Sequence, residues 1–392
     1  MNDDFIYLDH AATTPVSEKV LAAMMPYFSE KFFNPSAPYF PAIAVRREYE
    51  AAKSEIAQQI GTKSDELVMT AGATESINLA FSAASRAAGD EILVAAFEHH
   101  SVLKASEKFG NSAKIKVLKS GVVDLEDLRA QITPQTKIVS VMLANNETGI
   151  IQPLSKIAEI IKAERFRRLQ NGETRPIYLH SDASQGVGQL DVSVARLGVD
   201  MLTLNAGKIY GPKQTGLLWA NREIMFDAQI VGGGQERGLR SGTENVAGVI
   251  GFAKAIQLAE KHRKKEVERL RELKTIFEQT FRQHFTEGED FFFIGNAKKQ
   301  LASHISVSFP GIDAERIVFS AEMQGVLLAT GSACAANKGT RSNTLVAMGL
   351  TDSEADGSLR ISLGHLSTVE NSRRAAEILC RIVRDEFKRT SK

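Results

Sequence analysis

Between Leu67 and Ala220 short apolar runs alternate with amphipathic stretches, and that alternation leaves few folds open. The apolar runs are Leu67–Thr70, Glu91–Ala95, Ile115–Leu118, Ile138–Leu143, Ile177–Ser181, Met201–Leu204 and Thr215–Ala220. Helical patterns fill the gaps, at about 75–88, 100–109, 124–132 and 153–170. Repeated strand–helix units predict an α/β domain with a largely parallel sheet covered by helices. Such sheets bind their ligands at the carboxyl ends of the strands. The chain, at 392 residues, exceeds one ordinary domain. We place a large domain at 15–260 and a smaller α+β domain at 1–14 with 261–392. In the smaller domain strands are expected near Phe5–Leu8, 303–309, 326–329 and 358–363, with a last helix over about 370–387. Ser17 can cap a helix to about Glu30, and 34–41 is too proline-rich for regular structure. An amphipathic helix covers 42–60 and stops at Gly61. A longer helix, charged in its middle, runs from about Glu244 to His284 and joins the two domains.

Composition narrows the function classes. A net charge of +1 gives no electrostatic case for nucleic acid or an anionic membrane, and no apolar run reaches the ~18 residues of a membrane span. Two cysteines, Cys334 and Cys380, predict a reducing compartment rather than a disulfide framework. The start, Met-Asn-Asp-Asp, lacks the basic and apolar regions of a signal peptide, so the expected location is cytoplasmic.

The polar clusters fall where the strands end. Lys208 sits between the runs 201–204 and 215–220, before the turn Gly211-Pro212. A lysine between buried strands is partly desolvated, which favours the neutral amine that imine formation needs; the plain alternative is a surface-turn lysine. Gly72-Ala-Thr-Glu-Ser76 follows a strand and opens a helix, so Ala73, Thr74 and the free backbone N–H groups make either an anion site or a simple cap. His99, in Glu98-His99-His100, could stack on a planar group, act as an acid or base, or be structural. No second ligand set has metal-like spacing, so no metal is expected. Asp182 and Gln185 lie at the tip of the 177–181 strand. A carboxylate there needs a cation, either a protonated pyridine nitrogen or an Arg or Lys. Asn145-Asn146-Glu147 reads alone as a turn. The stretch 232–243, with Arg237, Arg240 and Thr243, suits anion binding or subunit bridging. Arg360 alternates away from the apolar face of 358–363 and could hold a carboxylate bidentately. Cys334 lies in a small-residue loop that suits a nucleophile, whereas Cys380 shares a helical face with Ala376, Leu379 and Val383.

Taken in order, Tyr7-Leu-Asp-His-Ala-Ala-Thr-Thr-Pro15, Gly72–Ser76, Asn145–Glu147, Lys208-Ile-Tyr-Gly-Pro-Lys213, Arg240-Ser-Gly-Thr243 and Gly331-Ser-Ala-Cys334 resemble the pyridoxal-phosphate cysteine desulfurases of the class V aminotransferase superfamily. The resemblance implies fold type I and a homodimer. It implies that Lys208 binds the cofactor as an imine, Asp182 its pyridine nitrogen and Gln185 its ring hydroxyl. His99 then stacks on the ring. Ala73, Thr74, Asn205 and, from a second subunit, Thr243 hold the phosphate, while Asn146 and Arg360 orient the substrate carboxylate. Cys334 takes sulfur from L-cysteine as a persulfide, leaving alanine, and hands it to an acceptor protein, an iron–sulfur scaffold or a tRNA-thiolation carrier. Within the same chemistry a selenocysteine lyase or another β-eliminating or aminotransferase-like enzyme is the alternative. A catalytically weakened homologue acting as a partner protein is a third. The chain departs from the family in two places. Asn205 and Gly207 stand where a phosphate-binding Ser and His are usual, and 37–41 reads Ala-Pro-Tyr-Phe-Pro. The short tail after the last helix also lacks the extension that some members use to dock an iron–sulfur scaffold.

Overall fold

The structure, a computed structural model, describes residues 5–84, 89–295, 297–331 and 341–390. Its centre is a seven-stranded sheet in the order β2-β8-β7-β6-β5-β3-β4. The strands are β2 Leu67–Thr70, β3 Glu91–Ala95, β4 Asn111–Ile115, β5 Thr136–Ser140, β6 Tyr178–Asp182, β7 Met201–Asn205 and β8 Gly216–Ala220; β1 is Ile6–Tyr7. β8 runs antiparallel to β2 and β7, and the remaining pairings are parallel. The interior strands are buried on both faces, which is why they read as unbroken apolar runs. Each fully buried Val, Leu or Ile there contributes about 1.5–3 kcal/mol.

A second, antiparallel sheet has the order β12-β13-β10-β9, from β9 Phe292–Phe293, β10 His304–Ser308, β12 Ala329–Thr330 and β13 Ser358–Ser362. β11, Val326–Leu327, pairs in parallel with β1, so the N-terminus is built into the C-terminal part. Two main cores follow. One joins residues from Val20 to Ile256; the other gathers Ile6 and Leu8 with residues from Leu270 to Val383. The helix Val246–His284 serves both, burying Val249, Phe252 and Ile256 in the first and Leu273, Phe277 and Phe281 in the second.

Several boundaries differ from expectation. β4 covers Asn111–Ile115 rather than 115–118. It is an edge strand whose residues are mostly exposed, so apolar pattern could not reveal it. β5 begins at Thr136 and ends at Ser140, but Val141 and Leu143 still donate to the carbonyls of His180 and Asp182. The helix after Ser17 divides at Pro26 into Glu18–Met24 and Pro26–Ser29. The next begins at Phe40, with Pro41 in its first turn, where the missing N–H costs nothing. The helix after β2 ends at Phe81 and continues as a 3₁₀ turn to Ala84. The short helices Ala314–Glu322, Asn343–Ala347 and Asp352–Asp356 were not among the expected elements.

Cys380 is 1% exposed in the second core, and burial pushes its thiol up to about 12. Its Sγ stands 4.0 Å from the Thr280 carbonyl, a distance the shorter C–O bond of serine cannot close. Cys380→Ser is therefore expected to cost about 1–3 kcal/mol, read as a lower denaturation midpoint. An unchanged midpoint contradicts the buried assignment.

Candidate active site

The segment Asp9–Thr14 crosses from the C-terminal sheet to the end of β7. On the C-terminal side, Ser362 N donates to Leu8 O at 2.7 Å and Ala11 N donates to Ser362 Oγ at 2.9 Å. His10 Nδ1 donates to Ser362 O at 3.0 Å. Arg360, 3% exposed, donates through Nη2 to Asp9 Oδ1 at 2.7 Å and through Nη1 to Asn146 O at 3.2 Å. On the other side, Lys208 Nζ donates to Ala11 O at 2.8 Å and Ala12 O at 2.6 Å, and Gln185 Nε2 also donates to Ala11 O, at 3.0 Å. Thr14 Oγ1 donates to Gly207 O and accepts from Tyr210 N. One strap thus fixes Arg360, Gln185 and Lys208 together.

The parallel strands aim the remaining groups at the same place. Asp182 ends β6, with Oδ1 accepting from Ser184 N at 2.9 Å. His99 follows β3 and caps the helix His100–Phe109, its Nδ1 accepting from Ser101 N at 3.2 Å. The His99 imidazolium is disfavoured, first by desolvation and then by Lys208 and His100, against the opposing pull of Asp182. A neutral ring results, suited to stacking rather than to carrying charge. Glu98, 3% exposed, is held well above the usual carboxylate range by burial and then by Asp182, despite the bond from Met142 N to its Oε1 at 2.6 Å. Its Oε2 has no partner among the described residues. The charge run Glu98-His99-His100 contained this acid, but only burial reveals its neutral state.

Asn145 builds the turn its sequence suggests: Oδ1 accepts from Glu147 N and Thr148 N at 2.9 Å each. This presents the Asn146 carbonyl to Arg360. Burial raises the Glu147 carboxyl to about 7, and Ser342 Oγ donates to it.

Beside Lys208 lies a cavity of about 590 Å³. One wall is the start of the helix Ala73–Phe81, from Gly72 to Thr74; the other is Asn205, Gly207, Lys208 and Lys213. β8 approaches so closely that a Cβ on Gly216 would stand 2.7 Å from Gly72 Cα, which accounts for glycine there. Asn205 Oδ1 accepts from Gly207 N at 3.0 Å, directing its carbonyl to the backbone. Thr243 is exposed and does not line this cavity, whereas Arg240, from the same loop, pairs with Glu75 at 3.0 Å. Glu236 anchors that loop, its buried carboxylate accepting from Tyr49, Lys53 and Met69 N. Cys334 lies outside the described residues.

An amine, a carboxylate, a neutral imidazole and a cradle of helix N-terminal N–H groups suit a phosphorylated pyridine aldehyde. Comparison with known proteins agrees. A cysteine desulfurase IscS 1 of Archaeoglobus fulgidus is 39% identical over 380 residues, 95% of each chain. A solved NifS-like protein superposes with a TM-score of 0.87 at 30% identity, covering 97% of this chain and 100% of its own. A solved SspA in complex with cysteine gives 0.75 at 29% identity, covering 91% and 98%. The Aminotransferase class-V profile matches residues 6–374, and the chain belongs to that family.

Proposed function

We propose that this protein is a pyridoxal-phosphate-dependent cysteine desulfurase, converting L-cysteine to L-alanine and passing the sulfur through a protein persulfide to an acceptor. The observation that carries the reading is that His99, Asp182 and Lys208, following or ending β3, β6 and β7, interact electrostatically, with Lys208 also lining the cradle at Gly72–Thr74. Near-full-length similarity to cysteine desulfurases supports it.

In this reading Lys208 binds the cofactor aldehyde, Asp182 its pyridine nitrogen, Gln185 its hydroxyl and Ala73, Thr74 and Asn205 its phosphate, with the His99 ring against its face. When bound, the cofactor supplies an electron sink for negative charge at the substrate Cα. Arg360 exchanges Asp9 for the substrate carboxylate, with Asn146 beside it. The substrate amine would replace Lys208 at the aldehyde, and the Lys208 amine so released would accept the Cα proton. The Cys334 thiolate takes the sulfur: the substrate Cβ–S bond breaks, an S–S bond forms, and Cβ is protonated to give alanine. Residues 15–260 are the cofactor domain, and 1–14 with 261–392 the smaller one.

A second copy completes the site. Phe28, Phe32, Tyr39, Phe40 and Val231 are large apolar residues exposed on one chain, and Thr243 is exposed on the loop that Glu236 anchors. A homodimer covers such a surface and brings Thr243 to the other phosphate. No helix among the described residues is long and apolar enough to cross a membrane. The proposed setting is cytoplasmic, the acceptor an iron–sulfur scaffold or a tRNA-thiolation carrier.

Lys208→Ala is expected to abolish the visible absorption of lysine-bound cofactor and all alanine formation. A variant that keeps both sinks the lysine assignment. Cys334→Ser should bind cofactor and L-cysteine as the parent does, yet lose at least about tenfold in sulfur release. Undiminished sulfide production by that variant would favour a lyase that needs no nucleophilic thiol.

A further inference from the structure

The cradle beside Lys208 has an unusual charge balance. A cofactor phosphate brings between one and two negative charges at neutral pH. The acid on the cavity wall, Glu75, is already occupied: Oε1 accepts from Arg240 at 3.0 Å and Oε2 from Ala71 N at 2.8 Å. Among the described residues, the cations on the wall are Lys208 and Lys213. On the reading above, Lys208 is committed to the aldehyde, leaving Lys213 to face the anion.

Geometry places Lys213 for that task. The chain turns back on itself between two non-glycine residues in the left-handed region, Tyr210 at φ 62° and Gln214 at φ 55°. Left-handed backbone at two such residues costs free energy that the surrounding contacts must offset. The turn places Lys213 and Gln214, both solvent-exposed, on the cavity wall. A Cβ built on Gly207 would stand 3.9 Å from both Cα and Cγ of Lys213. The stem of Lys213 therefore runs beside the space that a side chain at 207 would enter. Its Nζ rests on a neutral acceptor, the Thr14 carbonyl, an easy contact to exchange for a phosphate oxygen. Asn205 Nδ2 makes no hydrogen bond within the described residues and remains available as a second donor.

We propose that Lys213 is the charge partner of the cofactor phosphate in this chain, working in the space that Gly207 leaves open. This rests on the cofactor reading above, and it makes the two positions interdependent. A histidine at 207 and a lysine at 213 serve the same oxygen atoms, so either one suffices.

The test is titration of the apo-protein with pyridoxal phosphate and, separately, with pyridoxal, which forms the same lysine bond but has no phosphate. Both are followed by visible absorption, with no turnover involved. Lys213→Met keeps the length and apolar character of the stem at an exposed position. It should weaken pyridoxal phosphate binding by about ten- to a hundredfold, the loss of one charge-assisted contact, while pyridoxal binding stays within about twofold of the parent. Lys213→Arg should keep most of the affinity, and Gly207→His should restore it in the Lys213→Met background. Equal losses for both ligands would show that Lys213 only shapes the loop, and no loss for either would show that other groups satisfy the phosphate; both results overturn the proposal. If the parent protein bonds neither compound, the cofactor reading falls and the proposal with it. A parent that bonds both while Lys213→Met behaves identically removes the proposal alone.

Discussion

Two backbone carbonyls, those of Ala11 and Ala12, hold the Lys208 ammonium, and the rest of the site depends on where they stand. Their position is set from the far side of the molecule. Ser362 fixes His10 and Ala11, and Arg360 fixes Asp9. Arg360 is buried while Asp9 is only partly so, and removing Asp9 would leave the guanidinium charge uncompensated. The lysine at the end of β7 is therefore correctly presented only once β1, β11 and β13 have assembled around the strap. Site formation is coupled to the folding of both cores.

The strap and its neighbours also give each cation of the site a defined partner. Arg360 faces Asp9, Lys208 faces carbonyls, and Lys213 faces the Thr14 carbonyl. Each cation is satisfied by a group that an incoming anion can replace. Around them burial raises the Glu98 carboxyl well above the usual carboxylate range, and desolvation lowers the His99 imidazole below its ordinary value, so both shifts oppose further charge beside the preplaced cations.

Much of this was legible in the residues. β2 and β3 were read with their observed bounds, because β3 is an interior parallel strand and β2, though it lies at the edge of the sheet and runs antiparallel to β8, is buried along its whole length. Lys208, Asp182, His99 and Arg360 were singled out by their places at strand ends or on a polar face, and Asp182, His99 and Lys208 do stand just at or after the ends of β6, β3 and β7. What stayed hidden has a physical reason in each case. β4 is an edge strand without an apolar signature. Ala11 and Ala12 act through carbonyls, which residue identity does not report. The raised carboxyl of Glu98 reflects burial and the charge of Asp182, more than eighty residues away in the chain. Lys213 lies past a Gly-Pro turn and reads as displaced from the site; the left-handed backbone at Tyr210 and Gln214 returns it. The order of the family's motifs supplied the substrate and the role of Cys334, which no local pattern could.

In the proposed reaction sulfur leaves L-cysteine by transfer to the protein. The direct measurement is a single-turnover reaction of cofactor-loaded protein with labelled L-cysteine and no thiol reductant, counting alanine and protein-bound sulfur. The account predicts about one alanine per active subunit, an equal amount of sulfur on Cys334, and renewed turnover only when a thiol acceptor is added. Continuous sulfide release without a thiol, or pyruvate and ammonia in place of alanine, would contradict it.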